Sequence, residues 1–221
     1  MPEITNLIFA GVGGQGVLLI AELTAQAAVR AGFDVKQTEV HGVSQRGGSV
    51  ESHVRYGDAV HSPLVAAGQA DVVIGLEKLE ALRYAHYVRQ SHIAYRVSRS
   101  CDMRYATRDM LREAAPGVLL VNDYEIIPGS VANAAEKYPH NAIDFMRDKG
   151  LRVVSLRASE RAKELGDGRM ANVIMLGALS TLLSISETVW IQTVQEKFPA
   201  KYRDANLRAF QTGRSQMADG R

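Results

Sequence analysis

The sequence predicts an α/β fold: a Rossmann-like, mostly parallel sheet with a β-hairpin insert and a C-terminal helical extension. Three observations support this prediction. Short apolar segments of strand length alternate with amphipathic segments of helix length up to residue 156. Two glycine-rich loops follow predicted strands, and the pattern from residue 159 onward is helical. The chain has 221 residues, 46% of them hydrophobic, which is enough to form a substantial core.

The predicted strands differ in pattern according to their place in the sheet. Residues 5–10 form a short apolar run that ends in glycines, which is typical of a buried strand. Residues 49–56 alternate polar and apolar, and the Gly57-Asp58 turn predicts a hairpin with residues 59–61. The remaining predicted strands are residues 34–40, 70–75, 117–122 and 151–156.

The first predicted helix is the clearest, because apolar residues recur at helical spacing over 17–30 and Gly32 follows as a stop signal. Further helices are predicted over residues 77–87, 131–138, 142–149, 162–165, 172–183, 186–197 and 201–212. We expect Asn172 to cap the helix that it begins. The polar tail, residues 213–221, is expected to be loose.

Composition excludes several classes of function. A formal net charge of +2 is too small to indicate binding to nucleic acid or to an anionic membrane. Because Cys101 is the single cysteine, disulfides, cysteine-rich zinc sites and an iron–sulfur cluster held by this chain alone are excluded. The longest apolar run, residues 173–185, is shorter than the roughly 20 residues of a membrane span. We therefore expect a cytoplasmic protein that does not enter the membrane.

The first glycine-rich loop lies between the first predicted strand and helix. Gly11, Gly13 and Gly16 have the spacing of a dinucleotide fingerprint, which aims a helix N-terminus at phosphate. Glu39 stands near the end of the second predicted strand, where an NAD site requires an acidic residue. The same glycines would also allow tight packing or a subunit contact, so both interpretations stay open.

The second glycine-rich loop contains Ser44, Gln45, Arg46, Gly47 and Gly48. Exposed backbone N–H groups beside a fixed guanidinium suit an anionic ligand or a close-packed partner surface. If both loops follow strands, they lie at one edge of the sheet and form one site.

A third glycine-containing turn, Gly166-Asp167-Gly168, resembles the start of a thiamine diphosphate motif. That motif needs a downstream Asn-Asn pair, which the chain lacks, so we interpret the turn as a helix boundary.

Four motifs together resemble one family: residues 11–16, residues 41–49, Asn172 with Leu176-Gly177-Ala178, and Asn206 with Ala209-Phe210 and Gly213. The chain is similar to the gamma-type subunits of thiamine-dependent 2-oxoacid:ferredoxin oxidoreductases. Within that family it most resembles the indolepyruvate branch, whose corresponding chain is called the beta subunit. The resemblance implies one domain over residues 1–221, with residues 158–221 as a helical extension.

The resemblance also implies a reaction and a division of labour. Such enzymes convert a 2-oxoacid and coenzyme A to acyl-CoA and CO₂ and reduce ferredoxin or another acceptor. Thiamine diphosphate, magnesium and iron–sulfur clusters would belong to partner subunits, and this non-catalytic chain would help to bind coenzyme A and close the active site. The implied coenzyme A or interface contacts are Gly11, Gly13, Gly14, Gln15, Gly16, Ser44, Gln45, Arg46, Gly47 and Gly48. Arg46 is the strongest single candidate for a phosphate or carboxylate contact.

One segment departs from the family pattern. Residues 89–116 are long and rich in arginine where indolepyruvate-type chains have a short connection, and they could dock an electron-transfer subunit or a neighbouring copy. The substrate is therefore open between indolepyruvate and another aryl oxoacid such as phenylglyoxylate. The alternatives are a gamma subunit for pyruvate, 2-oxoglutarate or branched oxoacids, a free-standing NAD-binding dehydrogenase that uses Glu39, and an interaction module whose glycines serve packing only.

Overall fold

The computed structural model describes residues 4–41, 47–90, 116–133 and 137–219. In this part of the chain, six strands form one sheet in the order β2–β3–β1–β4–β5–β6. They are β1 Thr5–Val12, β2 Asp34–His41, β3 Ser49–Gly57, β4 Val72–Gly75, β5 Val118–Asn122 and β6 Arg152–Leu156. Strands β1, β4, β5 and β6 are parallel, whereas β3 runs antiparallel to β1 and β2. The predicted α/β fold class is confirmed.

Helices cover both faces of the sheet. They are α1 Val17–Arg30, α2 Lys78–Tyr84, α3 Gly129–Ala132, α4 Ala142–Asp148, α5 Ala158–Glu164, α6 Ala171–Ser180, α7 Glu187–Lys197 and α8 Ala200–Asp219. Two short 3₁₀ turns, Ala85–Tyr87 and Gly168–Met170, follow α2 and precede α6. Buried side chains of α1 and α5–α8 share one core with the sheet, and those of α2 and α4 share a second core with its other face.

Alternation along the central strand supplies both cores. Leu7 and Phe9 of β1 point into the core beneath α1 and α6, whereas Ile8 points to the core beneath α2. All three side chains are fully buried. Helix α6 is buried on nearly all sides, which agrees with its apolar sequence.

The hairpin exists, but its predicted pairing is wrong. Strand β3 pairs with β2 on one side and β1 on the other, so that His53 lies opposite both Thr38 and Ile8. Because both edges of β3 are occupied, residues 59–61 cannot add a strand to it. Instead the Val60 N–H donates to Asp34 Oδ2 at 2.8 Å, which fastens this segment to the start of β2.

The predicted helix over 131–138 is also wrong. Helix α3 ends at Ala132, and Tyr138 is not helical. A residue that precedes proline avoids helical geometry, and Pro139 follows Tyr138. The buried Tyr138 side chain donates its hydroxyl hydrogen to Glu77 instead.

The loose tail is a third incorrect expectation, because α8 continues to Asp219. At Gly213 a Cβ atom would overlap the main-chain carbonyl of Ile174, so glycine permits a very close approach of α8 to α6. Arg214 then donates to Ser180 Oγ at 2.8 Å and to Glu187 Oε2 at 2.9 Å. These contacts hold the end of the chain against the helical layer.

Candidate functional site

A cleft of about 760 Å³ lies at the carboxyl end of the parallel strands, the usual place for a ligand in an open α/β sheet. Its first wall is the loop Gly13–Gly16 with the start of α1, and its second wall is the turn Gly168–Met170 with the start of α6. The other lining residues are Leu19, Leu76, Asn122, Tyr124, Ile126, Ser159, Lys163, Asp167, Ala171, Asn172, Val173, Phe198, Tyr202 and Asn206.

The first glycine-rich loop presents a helix N-terminus to this cleft. Gly16 is the N-cap of α1 and has a φ of 79°, a left-handed conformation that favours glycine. A Cβ atom at Gly16 would overlap Nδ2 of Asn172. The first N–H groups of any α-helix have no partner within the helix and carry partial positive charge. The loop therefore has the geometry of an anion site.

Two of the predicted ligand residues shape the loop from inside. Gly11 is buried, and a Cβ there would lie 2.8 Å from Val17 Cγ2. The Gln15 side chain accepts from the Val12 N–H at 2.8 Å and donates to the Leu76 carbonyl at 3.0 Å. Gly13, Gly14 and Gly16 remain on the cleft surface. Ligand contact by these residues stays a prediction.

The structure brings the two glycine-rich loops together. The Gly13 N–H donates to the Gly48 carbonyl at 2.8 Å, and the Gly47 N–H donates to the Gly13 carbonyl at 3.4 Å. Ser44, Gln45 and Arg46 lie outside the described residues. The basic segment 91–115, which includes Cys101, also lies outside them.

Side-chain amides form the floor and far wall of the cleft. Asn122 Nδ2 donates to the Leu76 carbonyl at 3.0 Å and to Ser159 Oγ at 2.8 Å, which ties the end of β5 to β4 and α5. The prediction that Asn172 caps α6 is wrong, because Met170 occupies the N-cap position. Its side chain instead lies against Gly16 across the cleft.

Two cationic side chains, Lys163 and Arg169, border the cleft, and neither belongs to a recognisable sequence motif. Arg169 pairs with Asp167 at 2.7 Å, and its hydrogen bond lowers the pKa of that carboxyl. Lys163 is exposed and, within the described ranges, has no carboxylate within ion-pair distance. The one sequence feature that could have indicated these two residues is their position after the last parallel strand, whose carboxyl end faces the cleft.

A buried carboxylate, that of Glu77, lies beside the cleft at the start of α2 and forms a cluster with its hydrogen-bond donors. Glu77 is 1% exposed and accepts from the Glu80 N–H at 2.9 Å, the Ile126 N–H at 3.3 Å and the Tyr138 hydroxyl. Burial, followed by the bond to Glu77, raises the pKa of the Tyr138 phenol far above its usual range. This cluster fixes Ile126, which lines the cleft, and it is fully engaged by protein groups.

Glu39 does not have the geometry of an NAD ribose ligand next to the first glycine-rich loop. Strand β3 lies between β1 and β2, so Glu39 is two strands away from β1. At about 4.8 Å between neighbouring strands, that separation is about 10 Å. In a dinucleotide fold the acidic strand is the direct neighbour of the first strand.

Neither a metal site nor a membrane span is present in the part of the chain that the structure describes. No three histidine, cysteine, aspartate or glutamate side chains there are grouped to hold a metal ion. None of the helices described is long and apolar enough to cross a bilayer.

Comparison with known proteins identifies the family. The model of the pyruvate ferredoxin/flavodoxin oxidoreductase family matches residues 6–216. The chain belongs to the pyruvate ferredoxin/flavodoxin oxidoreductase family. A relative from Archaeoglobus fulgidus, indolepyruvate oxidoreductase subunit IorB, is 36% identical over 98% of this chain and 96% of its own length. The prediction of a gamma-type oxidoreductase subunit is confirmed.

Solved structures share the fold of this family member. The gamma subunit of a keto/oxoacid ferredoxin oxidoreductase from Geobacter sulfurreducens has a TM-score of 0.64 at 22% identity, over 97% of this chain and 99% of its own. A 2-oxoglutarate:ferredoxin oxidoreductase from Magnetococcus marinus has a TM-score of 0.69 at 19% identity, over 98% of this chain and 31% of its own.

Proposed function

We propose that this chain is the coenzyme A-binding, gamma-type subunit of an oxidoreductase that acts on an aryl 2-oxoacid. The name of the Archaeoglobus fulgidus relative supports indolepyruvate as the substrate. The Magnetococcus marinus structure, solved with 2-oxoglutarate, coenzyme A and succinyl-CoA, supports coenzyme A as a ligand of such assemblies. We further propose one domain over residues 1–221, with residues 158–221 as its helical extension, in a cytoplasmic complex.

The observation that carries the proposal is the cleft at the carboxyl end of the sheet. Coenzyme A has an adenosine nucleotide with three phosphate groups, and the cleft offers the N-terminus of α1 together with Lys163 and Arg169. The exposed Tyr124 and Tyr202 supply aromatic surface at the same opening. The positive charge and the aromatic surface of the cleft therefore suit the nucleotide end of coenzyme A.

The residues of this chain would bind and orient coenzyme A, and partner subunits would perform the redox chemistry. Thiamine diphosphate with magnesium and iron–sulfur clusters, held by those subunits, would supply decarboxylation and electron transfer. Holding the nucleotide in the cleft leaves the thiol arm free to reach the active site on a partner. The interface between this chain and the partner subunit would cover that arm and exclude water from the acyl transfer.

The alternatives are less well supported. A free-standing NAD-binding dehydrogenase requires an acidic residue beside β1, and β3 occupies that place. Pyruvate, 2-oxoglutarate, a branched oxoacid and phenylglyoxylate are the alternative substrates, and the oxoacid panel below distinguishes them from indolepyruvate. A pure interaction module would use the two glycine-rich loops for subunit contact alone.

The test is purification of the complex through a tag on this chain, followed by assay of an oxoacid panel. We expect a brown, thiamine-containing partner and coenzyme A-dependent reduction of an artificial acceptor, fastest with aryl oxoacids. Lys163→Ala should raise the KM for coenzyme A a few-fold, because an exposed cation contributes modestly. The matched control is Lys149→Ala, which removes an exposed lysine just before β6, at the amino end of the parallel strands and away from the cleft. A colourless chain that is active alone with NAD would contradict the proposal.

A further inference from the structure

We infer that the carboxylates of Glu51 and Glu80 form a receptor for an arginine side chain of the partner subunit that covers the second glycine-rich loop. The inference rests on the proposed function, since it assumes that partner subunits assemble on this chain. It goes further by assigning the surface that one of them contacts and the chemistry of that contact. The surface lies on the α2 side of the sheet, whereas α1 and α6 form the walls of the cleft.

A row of polar side chains lies on the α2 side of β3. Alternation along the strand places Ser49, Glu51 and His53 on one face. His53 lies opposite Ile8, whose side chain belongs to the core beneath α2, and this pairing identifies the face. Ser49 directly follows Gly48 of the second glycine-rich loop. The polar row therefore begins at that loop and runs along the sheet from it.

Two carboxylates at this row have too little positive charge beside them. The Glu80 side chain is 6% exposed and accepts hydrogen bonds from the Ser49 hydroxyl and from Arg83 Nε at 3.2 Å. The Glu51 side chain is 15% exposed and, among the residues that the structure describes, has no lysine or arginine within ion-pair distance. Because Arg83 is itself 55% exposed, water screens its charge. A carboxylate that is largely buried calls for a paired cation, and Glu51 lacks one.

Tyr84 lies beside both carboxylates. Its hydroxyl oxygen is 3.3 Å from Ser49 Oγ. Burial raises the pKa of the Tyr84 phenol to about 12; the hydrogen bond with Ser49 opposes this rise, and the charges of Glu51 and Glu80 add to it. The phenol therefore stays neutral and offers a hydrogen-bond donor but no positive charge. A group that neutralises the two carboxylates has to come from another molecule.

His53 is an independent sign that the site is incomplete. Its side chain is 3% exposed, and Nδ1 accepts from the Val65 N–H, so Nε2 carries the hydrogen of the neutral ring. Nε2 has no hydrogen-bond partner, and Oε1 of Glu51 lies 3.7 Å away, beyond hydrogen-bond distance. Buried polar groups are nearly always paired, so this exception calls for a cause. A Glu51 carboxylate that reorients around a bound guanidinium would accept from Nε2 with its other oxygen.

The site is open to a partner from the side of β2. Val40 lies directly opposite Glu51 on that strand and is 48% exposed. Strand β2 is an edge of the described sheet, and α2 packs mainly on β1 and β4. An arginine suits this place because its planar fork has five donors for neighbouring carboxylates and is more weakly hydrated than an ammonium group. An apolar rim such as Val40 would exclude water from the contact and strengthen it.

The experiment compares Glu51→Gln with wild type in the complete, co-purified enzyme. The substitution keeps the shape of the side chain and removes its charge. The Kd of this chain for its partner subunits is measured by mass photometry of the diluted complex, at about 0.05 M and about 0.5 M NaCl. At the lower salt concentration we expect the Kd to rise about tenfold or more, as for truncation of one member of a buried charge pair. The Kd of the variant should also depend less steeply on salt, because salt screens an attraction that the variant has lost.

Two further variants and one measurement control for non-specific effects. Glu51→Asp keeps the charge and should keep the steep salt dependence of wild type. Glu196→Gln removes an exposed carboxylate from α7, on the other face of the sheet, and should leave the Kd within about twofold of wild type. Amide hydrogens of α1 should exchange at the same rate in Glu51→Gln and wild type, which would show that the core of the variant is intact.

The outcomes separate this inference from the proposed function. An unchanged Kd for Glu51→Gln, or an equal rise for Glu196→Gln, would overturn the arginine receptor, while recovery of a thiamine-containing complex through the tag would still support the proposed function. Assembly that requires added Mg²⁺ or K⁺, and no longer requires it in Glu51→Gln, would assign the site to a metal ion and overturn the inference. If wild type recovered no partner at all, the proposed function itself would fail.

Discussion

The two regions at the carboxyl end of the sheet differ in how their polar groups are paired. Around the start of α2, Glu77 accepts three hydrogen bonds from groups of the chain itself, and Lys78 lies between Asp123 at 2.7 Å and Glu125 at 3.0 Å. Around the starts of α1 and α6, the side chain of Asn172 has no hydrogen-bond partner and Lys163 has no ion-pair partner among the described residues. The first region is complete without a ligand, whereas the second is not.

This difference separates stability from function. Buried polar groups that satisfy one another stabilise the fold, and loss of one member leaves the others unpaired. Groups left unpaired in a cleft carry a cost in the free protein that only a ligand can offset. We therefore expect substitutions in the Glu77 region to change stability and substitutions in the Asn172 region to change ligand binding.

The largest expected effect is that of Glu77→Ala on stability. The substitution leaves the Tyr138 hydroxyl and two main-chain N–H groups without an acceptor and removes the N-cap of α2. We expect the free energy of unfolding to fall by about 3 kcal/mol, measured by urea unfolding. The matched control is Glu125→Ala, which removes a more exposed glutamate and should cost less than about 1 kcal/mol. Equal losses for the two variants would contradict the special role of Glu77.

An intermediate effect is expected for Gly16→Ala, which should change both the stability of the fold and the Kd for coenzyme A. Gly16 and Gly32 lie at opposite ends of α1 and have positive φ angles, 79° and 92°, so alanine is strained at either position by about 1 kcal/mol. Only at Gly16 does the added Cβ overlap another side chain, that of Asn172. Gly16→Ala should therefore also raise the Kd for coenzyme A, whereas Gly32→Ala should not. If both variants bound coenzyme A like wild type, the link between Gly16 and Asn172 would be broken.

The smallest expected effect is a pH dependence of stability at His53. Its Nδ1 accepts from the Val65 N–H at 3.0 Å, and burial lowers its pKa below the usual value of 6.5, although Glu51 acts in the opposite direction. Since the unfolded chain then binds the proton more tightly, this contribution to stability is present above about pH 6.5 and is lost as the pH falls.

His53→Gln should flatten the pH dependence of the melting temperature below pH 6.5. His61→Gln, a change of an exposed histidine close in sequence, should leave the dependence as it is. If His53→Gln kept the fall of the melting temperature below pH 6.5, another titrating group would be responsible for it.

The sequence predicts the elements of the fold better than their arrangement. Periodicity predicts the helix Val17–Arg30 because one side of that helix is buried in the core, and an apolar run predicts β1 because that strand is buried on both faces. The pairing of β3 could not be read from its pattern, since alternation reveals a strand and not its neighbours. The helical end of α8 was missed because Gly213 favours a turn unless another helix approaches it closely, as Ile174 does here.

The site shows the same division between local and distant information. Gly13, Gly14 and Gly16 were found from their spacing, and the structure places all three on the cleft. Gly11 matches the motif equally well but is buried, and Gln15 lines the cleft while its side chain makes two hydrogen bonds within the protein. The sequence indicated Asn172 as a helix cap and as part of a family motif, but not its proximity to Gly16, which arises from tertiary packing alone.

The most direct test of the central claim is hydrogen–deuterium exchange of the complete enzyme with and without coenzyme A. The account predicts that coenzyme A slows exchange in two segments of this chain, residues 13–19 and residues 167–173, which form the two walls of the cleft. Residues around Lys149, at the amino end of the parallel strands, should exchange at the same rate in both states. Protection confined to partner subunits would contradict the claim that this chain binds coenzyme A.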